Sequence, residues 1–153
     1  MEACNAEGYM FIHCMWVAGK SKGKAYGSLL LNEWAKDAKE AGMKGVAMVT
    51  SEGNWLVGKK FLQKNGFESD DQCPPFEPMV KKFNNAPSPS FSGNFEKKLK
   101  RSGEGLTIIR SDQCPYIDAG ARVAMEAGNE LGIRTQVVEL KSAEDVRQPS
   151  PSP

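Results

Sequence analysis

Between positions 17 and 28 the chain reads VAGKSKGKAYGS, and two phosphate-binding readings compete for it. The first takes Gly19-Lys20-Ser21 as the end of a nucleotide-binding loop of the form GxxxxGK[ST]. That pattern needs a glycine at position 14, where Cys14 stands, and a curled backbone where Met15, Trp16 and Val17 continue an apolar run. Successive N–H groups could not converge on a phosphate from such a stretch, and the reading is rejected. The second starts from Lys20-Ser21-Lys22-Gly23-Lys24-Ala25. Gly23 and Ala25 keep bulk away from the mouth of a helix expected to start near Ala25. The free N–H groups of its first turn can then reach an anion that the helix dipole favours. Lys20, Lys22 and Lys24 add positive charge, and a pyrophosphate suits this chemistry. The alternative is a Gly/Lys loop that merely turns a strand into a helix.

Acid–base and thiol candidates are few. His13 is the only histidine; it alternates with hydrophobic neighbours, so it reads as a structural histidine of a core strand. Glu52, in the loop after VAMVT, is a second candidate base. Cys114 opens a helix, where a thiol tends toward a lowered pKa. Redox work of the thioredoxin type uses two cysteines at CxxC, and CPYI supplies one, so a small, partly buried cysteine is expected. Cys4, Cys14, Cys73 and Cys114 form no CxxC and no zinc-finger spacing. A metal site from Cys73, Cys114 and His13 would need three segments to converge, and no metal is expected. A reduced, cytoplasmic compartment is the simpler reading of such cysteines.

The elements that must position these residues follow from the apolar pattern. YMFIHCMWV, residues 9 to 17, is a short apolar run ended by glycine, which predicts a buried strand. Residues 27 to 41 predict an amphipathic helix, with Leu30, Trp34, Ala38 and Ala41 inward and Gly42 ending it. VAMVT, 46 to 50, predicts a second buried strand, parallel to the first. A helix over 55 to 64 closes at Asn65-Gly66, and FEPMVKKF holds a further strand in which Pro78 suggests an edge or a bulge. NNAPSPSFSGN then has linker composition. LTIIRS, a helix from Cys114-Pro115 to about Leu131 ended by Gly132, and TQVVEL make a second, strand–helix–strand unit. The fold class is α/β, with units at 1–83 and 104–153 and a flexible linker at 84–103.

The chain has 153 residues, enough for one modest domain or two small units. Apolar residues make up 40% and the net charge is +1, so nothing pulls the chain as a whole toward nucleic acid or a membrane. EKKLKR, 96 to 101, is short and lacks interleaved aromatics, and reads as a solvated face. No apolar run spans a bilayer, and MEACNAEGYMF has no signal-peptide pattern.

The loop has the form [Q/R]xxGx[G/A] with Lys20 at its first position, after an apolar strand and before an amphipathic helix. A strand, a helix ending in Asn65-Gly66-Phe67 and FEPMVKKF follow. Over residues 7 to 83 this resembles the C-terminal half of the GNAT-type N-acetyltransferases. The resemblance implies that the amides of Lys22, Gly23, Lys24 and Ala25, with Gly27 and Ser28 at the helix entry, bind the pyrophosphate of acetyl-CoA. It implies that the backbone of Met15, Trp16 and Val17 lies along the pantetheine arm, where an N–H polarises the thioester carbonyl. Asn54 falls near the asparagine that often contacts the cofactor. Many members carry a tyrosine four residues before the glycine of the GF pair, which protonates the departing thiolate; here that position is Leu62, which cannot donate a proton. The catalytic residues are therefore unassigned.

GLTIIRSDQCPY and ELGIRTQVVELKSAED are similar to the YoaP-like domain attached to some bacterial GNAT proteins, itself reminiscent of a thioredoxin-type start. Both ends of the chain look cut on this comparison, since the family has strands and helices before the loop and the second domain continues past PSPSP. The first strand would then have an open edge, and self-association through it is expected. The leading expectation is transfer of acetyl from acetyl-CoA to an amine of unknown identity, small or peptidic. The alternatives are a CoA-binding or interaction module without turnover, and a thiol module centred on Cys114.

Overall fold

A computed structural model describes residues 4–53, 56–69, 71, 74–91, 103–112, 116–142 and 145. Two compact units result: Cys4–Ser92 forms one, and the other lies within Gly93–Pro153. Among the described residues no helix is long and apolar enough to cross a membrane.

The larger unit is mixed α/β. After a two-residue strand β1 (Cys4–Asn5) come β2 (Tyr9–Ile12), a 3-10 turn (Gly19–Ser21), α1 (Tyr26–Glu40), β3 (Gly45–Ser51), α2 (Lys59–Lys64), β4 (Glu68–Ser69), β5 (Phe76–Lys82) and β6 (Ser90–Phe91). Four strands form one sheet in the order β2-β3-β5-β4. β2 and β3 are parallel, as two strands joined through a helix should be, and β3–β5 and β5–β4 are antiparallel.

β3 is an interior strand whose alternate residues serve two cores. Val46 and Met48 face the helices, where they meet Ile12, Leu31, Ala35, Ala38, Leu62, Phe67 and Met79. Ala47 faces the other way, against Tyr9 and Val80. Pro78 pairs with Val49 of β3, and among the described residues β4 ends at Ser69 opposite Met79, one position short of the proline.

Three expectations shift. The strand predicted over 9–17 is only Tyr9–Ile12, because the chain leaves the sheet at position 13. On α1 the inward residues are Leu31, Ala35 and Ala38, whereas Leu30 is 39% exposed, Trp34 is half-buried and Ala41 is exposed. Gly27 sets this phase: its α-carbon lies so near Phe61 that an added Cβ would sit 3.0 Å from the ring tip. With Gly27 turned inward, a repeat of about 3.6 residues puts Leu31, Ala35 and Ala38 inward as well. Third, residues 84–91, expected as the start of a flexible linker, pack on the larger unit. Tyr9 donates its hydroxyl hydrogen to the Pro87 carbonyl at 2.9 Å, Pro89 is buried, and β6 pairs with β1. Residues 92–102, with EKKLKR, lie outside the described residues.

In the smaller unit β7 (Leu106–Arg110) and β8 (Thr135–Glu139) are parallel and joined through α3 (Ile117–Glu130). Gly128 of α3 is pressed against Thr135, and an added methyl would overlap the threonine Oγ1. Arg110 bonds Glu139 at 3.0 Å and also pairs with Asp118, tying both strands to the helix. The three helices among the described residues end in the same way, with Gly42, Gly66 and Gly132 at positive φ. At each, the next residue's N–H returns to a carbonyl five positions back: Met43 to Ala38, Phe67 to Leu62 and Ile133 to Gly128.

Candidate functional site

The loop between β2 and α1 is built from short-range backbone bonds. Ser21 N–H bonds the Ala18 carbonyl and Lys22 N–H the Gly19 carbonyl, each at 3.2 Å. Lys22 is extended, Gly23 has φ +75°, and Ala25 is left-handed at φ 59°, ψ 9°. A left-handed alanine costs roughly 1–2 kcal/mol and needs a reason in the surrounding chain. Here it reverses the chain into the helix, which starts at Tyr26. A left-handed residue followed by a right-handed one turns consecutive N–H groups toward one side, a concavity called a nest whose geometry suits an anion. The first i to i−4 bond of α1 is Leu29 N–H to the Ala25 carbonyl, at 3.1 Å. The N–H groups of Tyr26, Gly27 and Ser28 precede it and have no acceptor within the helix.

Space and charge agree with the backbone. A Cβ added at Gly23 would meet no atom within 4 Å, so the approach to the nest is open there. Lys20, Lys22 and Lys24 are all exposed around it. Gly27, by contrast, is shut from behind by Phe61 of α2 and by Met15, whose Cε would lie 3.8 Å from an added Cβ. The first turn of α1 is thereby fixed from below and open above.

The second component is a gap in the sheet. β2 pairs with β3 from Tyr9 opposite Gly45 to Ile12 opposite Met48. β3 then continues to Ser51, paired on its other side with β5 as far as Phe76. Among the described residues, 13–18 form no strand pairing with β3, which leaves a gap, here termed the cleft, beside positions 49–51. Met15 and Val17 are half-buried, and Trp16 is 63% exposed. Met15 meets the first turn of α1, so the cleft and the nest share a wall.

Of the expected site residues, Met15 lies against Gly27, and Lys22, Gly23, Lys24, Ala25 and Ser28 belong to the loop and the first turn of α1. Asn54 lies outside the described residues, as do Cys73 and Cys114. Leu62 is fully buried in the helix-side core, so no proton donor reaches the cleft from that position. Glu52 is exposed in the turn after β3.

His13 departs from the structural role expected of it. It is exposed, at the first position beyond the β2–β3 pairing, with its ring tilted against Phe11 at 4.8 Å. Partial burial beside its neighbours holds the imidazole pKa below the ordinary value. Its departure from the core was hidden in the sequence, because the apolar run continues past it.

Sequence reasoning also missed the ion pair between Lys59 Nζ and Glu77 Oε1, 2.7 Å long, which ties the start of α2 to β5. The Lys59 hydrogen bond, with one from Ser69, holds the Glu77 carboxyl below its usual range. Nothing in the spacing of positions 59 and 77 announces it. Among the described residues no group of three or more His, Cys, Asp or Glu could hold a metal ion.

No family model and no solved structure matches the chain. The curated relative it matches is longer than it is, and the chain spans about 59% of that relative's length. The chain is similar to YoaP of Bacillus subtilis (strain 168), described as an uncharacterized N-acetyltransferase, with 31% identity over 148 residues that cover 94% of the chain.

Proposed function

We propose that the larger unit is an acetyl-CoA-dependent N-acetyltransferase of the GNAT type. The observation that carries this reading is the anion nest at Ala25–Gly27 standing beside the cleft where β2 parts from β3. An anion nest alone would suit any phosphate. The adjoining cleft gives a thioester attached to that phosphate somewhere to lie, with strand-edge amides on either side. The likeness to an N-acetyltransferase over 94% of the chain supports the same reading.

The residues fit the ligand. The N–H groups of Tyr26, Gly27 and Ser28 point to the pyrophosphate, with Lys22 and Lys24 adding exposed positive charge. The backbone of Met15, Trp16 and Val17 lines the pantetheine arm, and an N–H of this stretch stabilises the oxyanion formed when an amine attacks the thioester. The amine acceptor is a small molecule or a peptide. The smaller unit, a parallel strand–helix–strand, fits the opening of a YoaP-like, thioredoxin-type domain. β2, with one partner among the described strands, supports self-association through its free edge, which light scattering tests.

A second reading, CoA binding without turnover, is favoured by the buried Leu62 at the position where a proton donor would stand. One experiment separates the two: acetyl-CoA turnover against an amine panel, run beside calorimetric titration of CoA. Binding with turnover supports the transferase, binding without turnover supports the module, and absence of binding refutes both.

A further inference from the structure

We propose that His13 is the base that takes a proton from the acceptor's ammonium group at the mouth of the β2–β3 cleft. This rests on the acetyltransferase reading above and assigns the residue that reading leaves open.

Met10, Ile12 and Met15 pack into the core on the helix side, with Leu31, Phe61 and Leu62. That side is filled, and no acceptor can arrive through it. Phe11 packs on the opposite face with Tyr9, Ala47 and Val80, and the His13 ring lies against Phe11. His13 is therefore on the face away from α1 and α2, exposed, and at the position where the strands begin to part. An acyl group held in the cleft would bring its carbonyl toward this residue, and an amine arriving from solvent meets the exposed imidazole.

The chemistry needs such a group. Most amines are ammonium ions near pH 7 and cannot attack until one proton is removed. His13 accepts that proton on its neutral nitrogen and later releases it to water. The freed amine lone pair forms the C–N bond at the thioester carbon, and the C–S bond breaks as the tetrahedral oxyanion collapses. The second proton, made acidic on the newly bonded nitrogen, passes to the departing CoA sulfur directly or through water, which requires no donor at Leu62. Per turnover, ammonium plus acetyl-CoA gives amide, CoA thiol and one proton. The depressed pKa keeps the imidazole neutral at pH 7, as a proton acceptor must be, and its cause is burial rather than a charged neighbour. Next along the register, β3 offers Val49 and β5 offers Pro78, neither of them titratable. Cys14, an exposed free thiol, is the titratable neighbour in sequence. Phe11 holds the ring's plane without donating a hydrogen bond.

The test uses the whole chain with acetyl-CoA and the amine panel, comparing the parent with His13→Gln and His13→Ala. The expected kcat/KM loss is about 100-fold or more near neutral pH, the usual scale for removing a general base. CoA affinity by calorimetry should be unchanged in both variants, since neither touches the nest. Free imidazole should restore part of the His13→Ala rate, which a structural role would not permit. The parent rate should rise with pH through the imidazole pKa and level off, while the His13→Gln rate should keep rising as free amine accumulates. Rates within about threefold of the parent in both variants would overturn the assignment and leave the transferase reading standing, because a lost general base costs far more. Equal losses of rate and CoA affinity would overturn it too, in favour of a structural role. A parent chain that binds CoA but turns over no amine would overturn the transferase reading itself, and the base with it.

Discussion

Gly23→Val separates a backbone cradle from a loop that merely joins a strand to a helix. Gly23 sits at φ +75°, where any L side chain is strained and a β-branched one most of all. The strain costs about 1–2 kcal/mol, judged from the penalty of the left-handed region. No steric cost adds to it, since a Cβ there meets nothing within 4 Å. The larger unit should therefore fold, with its stability lowered by that amount in urea titrations. Ligand binding should suffer more. On the cradle reading, the open space at Gly23 is the approach to the N–H groups of Tyr26, Gly27 and Ser28, and an isopropyl group would occupy it. A loss of CoA affinity of tenfold or more, about 1.4 kcal/mol or above, is expected. Calorimetric titration of CoA into parent, Gly23→Val and Gly23→Ala reads this directly, with the alanine variant expected between the other two. Mg–ATP in the same cell tests the rejected Walker-type loop, which predicts strong ATP binding dominated by Lys20. If Gly23→Val folds and binds CoA as tightly as the parent, the cradle is not where the loop geometry puts it.

Lys22→Ala and Lys24→Ala should each weaken CoA binding by about 1 kcal/mol or less, because both side chains are exposed and screened. Raising the salt concentration should erase that difference before it touches the Gly23 effect. Gly128→Ala should destabilise the smaller unit by about 1–3 kcal/mol, since the added methyl overlaps Thr135 Oγ1 and helix or strand must move; unchanged hydrogen-exchange protection in α3 would contradict this. Glu77 carries a depressed pKa through Lys59, so its contribution to stability is present above the unfolded carboxylate value of about 4.3 and is lost as pH falls through the lower folded value. Urea midpoints of the parent should therefore drop below about pH 4.3 more steeply than those of Glu77→Gln, whose loss at pH 7 should stay under about 1 kcal/mol at this partly exposed pair.

What the sequence could disclose depended on whether the physics was local. Helix ends are local: Gly42, Gly66 and Gly132 each follow the last apolar position of a helix, and each adopts the left-handed turn that returns an N–H to the helix's final carbonyls. The nest is nearly as local, since Gly23, Ala25 and the helix start lie within four positions. The cleft is not local. YMFIHCMWV is apolar throughout, and hydrophobicity says that a segment avoids water without saying which neighbour it pairs with. The end of pairing at Ile12 is set by where β3 runs and by Met15 turning to meet the first turn of α1, contacts made by residues more than ten positions away. The helix phase failed for the same reason. Leu30 and Leu31 are equally apolar, and the contact between Gly27 and Phe61, thirty-four positions apart, decides which of them turns inward. His13 combines both cases. Its residue type was legible as a proton acceptor, but its placement follows from the strand leaving the sheet one residue before it. The position proposed above as the base is thus one where a local pattern, unbroken apolar residues, conflicted with a long-range one. Such a conflict is expected where a chain trades a strand pairing for an opening that a ligand can enter.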